Sequence, residues 1–142
     1  MHKLLVPFDG SENAQRALRH AIDMVSRNGG GSIHLVHAHT EPRLYGEIAV
    51  YVSPEKMAEL QREESETVLA AADPILEDAG VPYTKEALVG PLGDVIAQRA
   101  DELGCDGIVM GSRGLDAVRN LVLGSVATKV IHSAHVPVTL VK

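Results

Sequence analysis

The sequence predicts an α/β fold in which one doubly wound, five-stranded parallel sheet has helices on both faces. Two observations predict it: short runs of β-branched and aliphatic residues alternate with longer segments of helical periodicity, and glycine or proline separates most of them. Right-handed crossovers leave few topologies for such an alternation. Ligands of these sheets bind beyond the carboxyl ends of the strands, where the strand order reverses, so a site is expected in the loops after the first and fourth strands.

Five short segments have the composition expected of buried parallel strands, because they are apolar and are bounded by turn residues. The fourth of them is almost wholly apolar, which is typical of a strand covered on both faces. The predicted strands are 4–8, 32–38, 82–89, 106–110 and 136–141.

Four segments between the strands have helical periodicity. The first follows a capping serine, Ser11, and ends at a run of three glycines. The second begins at Ser53-Pro54, with proline at a position that needs no donor, and is expected to continue without a break to Gly80. The other two are shorter and are predicted to begin at Gly93-Asp94 and at Ser125.

The composition is that of a single globular domain, since 142 residues with 45% hydrophobic and 23% charged residues can bury a sufficient core. Acidic residues outnumber basic ones by 19 to 13, and the resulting net charge of −6 argues against nucleic-acid binding. The single cysteine, Cys105, is expected to be a small core thiol. No apolar stretch approaches the ~20 residues of a membrane span and no signal peptide is recognisable, so we expect a cytoplasmic protein.

The segment after the fourth strand contains glycines in a spacing that can bind an anion. Gly111, Gly114 and Gly124 follow the pattern G-x2-G-x9-G, and Ser125 comes directly after the third glycine at the start of a predicted helix. Glycines let backbone N–H groups approach phosphate oxygens, and a helix start favours negative charge. The alternative is that the glycines serve only the turn and that Ser125 caps its helix. We call residues 111–124 the glycine loop.

With this loop and three further segments, the sequence resembles the universal stress protein family, whose ATP-binding members carry the same glycine spacing followed by serine or threonine. The other matching segments are 6–11, 106–112 and 136–138, in the same order as in the family. The resemblance covers the whole chain and implies one universal stress protein domain at 1–142, with a Rossmann-like sheet in the order 3-2-1-4-5. It also implies a stress-response protein that binds ATP or another adenine nucleotide across the first and fourth strands.

The resemblance implies a role for particular residues. Asp9 would reach a ribose hydroxyl, Ala38 would offer its backbone to the adenine edge, and the later glycines of the loop would hold phosphates. Ala127 departs from the family, where threonine or another polar residue is frequent, so one side-chain contact to phosphate is expected to be absent. The expected nucleotide contacts are Pro7, Phe8, Asp9, Ala38, Met110, Gly111, Arg113, Gly114, Gly124, Ser125 and Val126.

ATP is strongly anionic, and the cations available to it in the glycine loop are Arg113 and Arg119. Each can reach phosphate or remain solvated, and a bound Mg²⁺ or Mn²⁺ would reduce the charge mismatch. No Walker lysine is present, and Asp116 is the only carboxylate of the loop, so no general base is fixed near a γ-phosphate. We therefore expect a binding or signalling module with little or no turnover; a slow ATP hydrolase or another nucleotide-dependent enzyme at the same site is the alternative.

Two other interpretations have less support. His34, His37 and His39 suggest a metal site, but on a strand the first points away from the other two, so no metal ligands are predicted. A phosphoacceptor receiver domain shares the architecture but needs an aspartate after the third strand, where this chain has Leu-Val-Gly at 88–90.

The last predicted strand favours a homodimer. Residues 136–142 are apolar up to the final lysine. In the strand order that the resemblance implies they lie at a sheet edge, where unpaired backbone groups invite pairing with a second chain. The resemblance points the same way, since many members of the family dimerise through this strand. A monomer whose edge is shielded by Lys142 and by strand twist is the alternative.

Overall fold

The strands and helices alternate along the chain as predicted. The computed structural model describes residues 2–41, 52–114 and 123–142. In these ranges the strands are β1 (His2–Pro7), β2 (Gly31–His39), β3 (Tyr83–Val89), β4 (Gly107–Gly111) and β5 (Val138–Val141). The helices are α1 (Glu12–Arg27), α2 (Pro54–Ala70), α3 (Asp73–Ala79), α4 (Leu92–Glu102) and α5 (Ser125–Ser133).

The five strands form one all-parallel sheet in the order β3-β2-β1-β4-β5, which confirms the predicted fold class. The central strand, β1, pairs with β2 up to Pro7 opposite Val36 and with β4 from Leu4 opposite Gly107. The strand order reverses at β1, because β2 and β4 lie on its two sides. The carboxyl ends of β1 and β4 therefore lie next to each other, as a ligand site of this fold requires.

Side chains of the sheet alternate between two hydrophobic cores. The first core packs α1, α2 and α3 against one face, where Val6 and Leu35 are fully buried. The second core packs α4 and α5 against the other face, where Leu5, Val36 and Ile108 are fully buried. Burial on both faces explains why these strands are nearly continuous apolar runs rather than alternating ones.

The single long helix predicted from Ser53 to Gly80 is wrong, since the chain forms two helices separated at Ala71–Ala72. Pro74 explains the break: it has no N–H to donate to the carbonyl of Ala70, and its ring would clash with that carbonyl in a continuous helix. The apolar spacing does continue across the break, because Leu69 and Leu76 are both buried in the first core. Periodicity alone therefore concealed the break.

Two other boundaries differ from the predicted ones by two residues. β1 begins at His2 rather than at residue 4, and β5 begins at Val138 rather than at residue 136. Pro137 lacks the N–H that a ladder needs, which shortens β5. Its carbonyl nevertheless accepts a hydrogen bond from the backbone of Ile108 at 2.9 Å. None of the helices in the described ranges is long and apolar enough to cross a bilayer.

Candidate functional site

The loop after β1 turns sharply into α1 and is held by its own side chains. Asp9 Oδ1 accepts a hydrogen bond from the backbone N–H of Ser11 at 3.0 Å, and Gly10 has a positive φ of 83° that favours glycine. Ser11 is the N-cap of α1, and its hydroxyl accepts from the N–H of Ala14 at 3.0 Å, as predicted. The other carboxylate oxygen of Asp9 faces the glycine loop, because a Cβ built on Gly114 would lie 2.9 Å from Oδ2.

The glycine loop has its two described ends side by side. The N–H of Gly124 donates to the carbonyl of Ser112 at 2.7 Å, and a Cβ on Gly124 would lie 3.5 Å from Cα of Arg113. Ser112 is buried, and its hydroxyl has no hydrogen-bond partner in the part of the chain that the structure describes. The predicted grouping of Asp9, Gly114 and Gly124 is thus observed. Arg119 and Asp116 lie outside the described residues.

The start of α5 differs from the alternative interpretation in which Ser125 caps the helix. Gly124 is the N-cap, with φ −75° and ψ 164°, and no side chain accepts a hydrogen bond there. Ser125 is instead the first helical residue and is exposed. The N–H groups of a first helical turn have no partner within the helix, and no side chain in the described ranges caps those of α5.

Asn13 joins the start of α1 to the glycine loop and to β5, and it was missed in the sequence analysis. It lies in the first turn of α1 with 7% of its surface exposed, and its Oδ1 accepts from the N–H of Arg113 at 2.8 Å. Its Nδ2 donates to the carbonyl of Val141 in β5, also at 2.8 Å. The available signal was a polar residue next to Ala14, at the start of an otherwise apolar stripe. That signal indicates burial but names no partner.

The last residues of β2 extend beyond the end of β1, so on that side they have no paired strand in the described chain. The carbonyl of Val36 faces β1 and accepts from the N–H of Phe8 at 2.8 Å, whereas the carbonyl of His39 faces β3 and accepts from Gly90 at 2.8 Å. Because backbone groups of alternate residues in a strand point the same way, the N–H and C=O of Ala38 point toward the β1 side. They do so beyond Pro7, where β1 ends.

Three of the predicted contact residues have side chains that belong to the cores. Phe8 is 3% exposed in the first core and Met110 is 5% exposed in the second, while Val126 packs partly against the second. A ligand at this edge would therefore meet these residues chiefly through their backbone. Pro7, Gly111 and Arg113 are partly exposed.

The histidines of β2 lie on opposite faces, as the strand periodicity predicted. His34 is buried between Thr84 and Glu86, and Glu86 Oε2 also accepts from Arg99 Nε at 2.9 Å. Burial by itself raises the pKa of the Glu86 carboxyl, but the hydrogen bonds from Arg99 and His34 outweigh it and hold that pKa below its ordinary value.

On the opposite face, the His37 ring shares a hydrogen bond of 2.8 Å with the hydroxyl of Ser65 in α2 and stands edge-on to His39, with 4.5 Å between ring centroids. Burial lowers the pKa of His37, and neighbouring His39 lowers it further, while Glu64 and Asp9 oppose the shift. Across the ranges described, no three His, Cys, Asp or Glu side chains are grouped so as to hold a metal ion.

Two open grooves lie away from the glycine loop. The larger, of about 640 Å³, runs along α2 and is lined by residues that include His39, Ser65 and Val89. The smaller, of about 280 Å³, lies between β3 and α4, where Glu86 and Arg99 are already paired. Neither contains the combination found after β1 and β4, which consists of a helix start without a described side-chain cap, the Asp9 carboxylate and glycines that are at least partly exposed.

Comparison with known proteins identifies the family to which this fold belongs. The model of the universal stress protein family matches residues 1–142, and a universal stress protein of Thermus aquaticus is 36% identical over 141 residues, covering 98% of this chain and 97% of the relative. The solved Methanocaldococcus jannaschii protein MJ0577 is similar with a TM-score of 0.85 and 30% identity, covering 99% of this chain and 95% of the other. A universal stress protein of Archaeoglobus fulgidus, solved in complex with dAMP, has a TM-score of 0.72 and 26% identity, covering 100% and 98%. The chain belongs to the universal stress protein family.

Proposed function

We propose that this protein binds an adenine nucleotide, with ATP as the expected ligand, at the edge formed by the loops after β1 and β4. The start of α5 carries the proposal, because no side chain of the described residues caps it and its N–H groups and positive dipole end attract phosphate. The buried hydroxyl of Ser112 beside it has no hydrogen-bond partner among the described residues, which is consistent with a site that a polar ligand completes. The relative from A. fulgidus, solved with dAMP, supports the ligand class.

The proposed assignment follows the geometry of this edge. The Asp9 carboxylate accepts a hydrogen bond from a ribose hydroxyl, and the backbone of Ala38 pairs with the adenine edge beyond the end of β1. Backbone N–H groups of Gly114, Ser125 and Val126 hold the phosphates, while Gly124, whose own N–H is bound to the carbonyl of Ser112, borders them without a side chain. The hydroxyl of Ser125, which is exposed at the first helical position, donates one further hydrogen bond.

The negative charge of the nucleotide has to be balanced by cations, and few basic side chains of the described residues lie near the proposed site. Lys129 of α5 is exposed and lies 3.7 Å from Asp94 of α4, so its charge is directed toward α4. Arg113 is the nearest described cation of the loop. We therefore propose that Mg²⁺ or Mn²⁺ accompanies the nucleotide, and nucleotide affinity should fall when a chelator removes the ion.

Two measurements test nucleotide binding. Denaturation of the purified protein should release an adenine nucleotide that mass spectrometry identifies, and calorimetry on nucleotide-free protein should show binding of ATP. Ser125→Ala should weaken binding by about 0.5–1.5 kcal/mol for one lost hydrogen bond, whereas Ser26→Ala, at an exposed and remote position of α1, should leave it unchanged. A nucleotide-free protein that binds no adenine nucleotide contradicts the proposal.

We further propose that the site binds and signals rather than turns over its ligand. No Walker lysine is present in the sequence to stabilise a developing charge on the γ-phosphate. Phosphate release from ATP should therefore be far slower than the ~1 s⁻¹ of an ordinary enzyme. A rate at or above that value would instead establish the alternative, a nucleotide-dependent enzyme. The cytoplasmic location stays a prediction that cell fractionation can test.

The homodimer through β5 is also a proposal. The carbonyl of Pro137 accepts a hydrogen bond from Ile108 of β4, and that of Val141 accepts one from Ser112, just after β4. By alternation the N–H groups of Val138 and Leu140 therefore point away from the sheet. Val138→Pro removes one outward donor and keeps an apolar side chain, so it should weaken the dimer in sedimentation experiments. Thr139→Ala, at a position whose backbone faces β4, is the control. A wild type that is monomeric at tens of micromolar contradicts the proposal.

A further inference from the structure

The carboxamide of Asn13 is a two-ended connector between three parts of the chain. The residue is fixed in α1, its oxygen accepts from the backbone of Arg113 in the glycine loop, and its nitrogen donates to the carbonyl of Val141 in β5. Both bonds are 2.8 Å long and lie in a buried environment, where a lost partner is costly. The bonds span about one hundred residues or more along the sequence, so no local turn can replace them.

Val141 anchors the glycine loop a second time. Its carbonyl also accepts from the backbone N–H of Ser112 at 2.9 Å, one residue before Arg113. Ser112 in turn accepts from Gly124 at 2.7 Å. Asn13 and Val141 therefore hold two successive residues of the loop, and through Ser112 they set the position of the α5 start.

Gly111 has no Cβ, and this leaves space for the side chain of Asn13. A Cβ built on Gly111 would collide with Oδ1 of Asn13 and lie 2.8 Å from its Cγ, so the glycine leaves room for the carboxamide. Gly111 is not among the glycines with a positive φ, so its backbone does not require glycine. The direction of that Cβ is toward α1, which means that the first glycine of the motif accommodates Asn13 rather than a ligand.

We propose that Asn13 is a positioning residue of the nucleotide site: it fixes the glycine loop to β5 so that Gly114 lies against Asp9 and Gly124 lies at the start of α5. This inference rests on the proposed function, because it concerns the same site. Asn13 acts through the loop and does not touch the nucleotide.

Two substitutions of Asn13 separate positioning from simple filling of space. Asn13→Ala removes both hydrogen bonds and the volume, whereas Asn13→Leu removes the bonds and keeps most of the volume. Both should weaken ATP binding by about tenfold, the effect of losing hydrogen bonds that order a site. Asn28→Ala is the matched control, since Asn28 is exposed at the other end of α1 and its Nδ2 donates only to the carbonyl of Met24.

Amide hydrogen exchange measures the connection itself and needs no ligand. The N–H of Arg113 is held by Asn13 alone among the hydrogen bonds of the described chain, so its exchange should be at least about tenfold faster in both Asn13 variants. It should be unchanged in Asn28→Ala. Amides of β1 should keep their protection, which shows that the fold is intact even if the variants are less stable.

A double substitution tests the fit between Asn13 and Gly111. Gly111→Ala should weaken ATP binding in the wild-type background, because the new methyl group displaces the carboxamide. In the Asn13→Ala background the same substitution should add much less loss, since the carboxamide is gone and only the carbonyl oxygen of Arg113, 3.2 Å from the new Cβ, remains close. Independent, additive losses would contradict the proposed fit.

The outcomes distinguish this inference from the proposed function. A wild-type protein that binds no adenine nucleotide overturns the function and the inference with it. A wild type that binds ATP, with Asn13→Leu binding equally well and Arg113 equally protected, overturns the inference alone. Weaker binding in both Asn13 variants with unchanged Asn28→Ala supports it.

Discussion

The loops after β1 and β4 lead into helices that begin in opposite ways. The loop after β1 is short, and α1 begins at Ser11, whose hydroxyl accepts from the helix backbone at 3.0 Å. The loop after β4 is long, and α5 begins at Gly124, where no side chain of the described residues forms a cap. α2 follows the first pattern, because Ser53 caps it at 3.0 Å.

The difference shows which helix starts have N–H groups bound by a capping side chain and which do not. A capped helix has part of its N-terminal N–H groups satisfied internally, and its stability does not depend on a ligand. An uncapped start retains both the free donors and the positive dipole end, so an anion can satisfy them. Of the starts of α1, α2 and α5, the one with a glycine is thus suited to phosphate, and the two with serine are suited to holding the fold. α3 and α4 also begin without a side-chain cap from the described residues, and α5 differs from them by its place beside Asp9 and the glycine loop. Four predictions test this division, from the largest effect to the smallest.

Gly114→Val should affect nucleotide binding most. Its Cβ would lie 2.9 Å from Oδ2 of Asp9, so the new side chain displaces the carboxylate and occupies the space beside the glycine loop. Calorimetry should show an affinity loss of about 100-fold or more, close to 3 kcal/mol. Because Gly114 is exposed, the midpoint of thermal unfolding should change little. Ser26→Val, on an exposed part of α1, is the control; wild-type affinity in Gly114→Val contradicts the assignment.

Gly124→Asp should move stability and affinity in opposite directions. The φ and ψ of Gly124 suit any residue, and its Cβ would make ordinary contacts, so aspartate can cap α5. The free energy of unfolding should stay equal or rise by a few tenths of a kcal/mol, while ATP affinity falls by about tenfold because a carboxylate competes with phosphate. Gly124→Ser supplies an uncharged cap and should cost less affinity. An Asp variant that binds ATP like the wild type would show that phosphate does not use this helix start.

Ser11→Ala should affect only stability. Loss of the cap should lower the free energy of unfolding by about 1 kcal/mol, and Ser53→Ala in α2 should give a similar loss. Chemical denaturation measures both. The affinity of folded Ser11→Ala for ATP should equal that of the wild type. A tenfold loss of affinity would break the comparison, because it would place a ligand contact at the start of α1 as well.

The smallest expected effect is on the pH dependence of stability, and it concerns His37, on which Asp9 of the loop after β1 acts electrostatically. The folded pKa of His37 lies below the unfolded value of 6.5, so the unfolded chain binds more protons and stability falls as the pH drops below about 6.5. His37→Asn keeps a partner for Ser65 but does not titrate, so its stability should fall less between pH 7 and pH 5.5, by under about 1 kcal/mol. His39, Glu64 and Asp9 are the titratable groups that act on it. Ser26→Ala, on an exposed part of α1, changes no titratable group and should keep the wild-type pH profile.

The sequence predicted what depends on local pattern. Apolar runs marked the strands, and the order of strands and helices left little choice of architecture, which the observed sheet confirms. The cap at Ser11 was also predictable, because the capping bond joins residues only three apart. Where two local signals competed, the prediction was wrong: apolar spacing continued past residue 71, whereas Pro74 ended the helix.

Contacts between residues far apart in the sequence could not be predicted from local sequence patterns. The glycine spacing indicated an anion site, and the glycines do lie beside Asp9. Nothing in the spacing revealed that Gly111 makes room for Asn13, because that contact joins α1 to a loop about one hundred residues later. The N-cap at Gly124 instead of Ser125 was similarly undecided, since either residue fits a helix start by composition.

β2 continues for three residues beyond Val36, the partner of Pro7 at the end of β1. This difference in strand length has a consequence for which sequence changes are compatible with nucleotide binding. Three residues of a parallel strand span roughly 10 Å, enough for the edge of a purine. If a base is recognised there by the backbone of Ala38, then specificity is encoded in the relative lengths of two strands and not in any side chain. Substitutions along that stretch would leave recognition intact, whereas a one-residue deletion in β2 would turn the neighbouring backbone groups toward β3 and abolish it. Relatives that differ at most of their positions could then share a ligand as long as they keep this length difference.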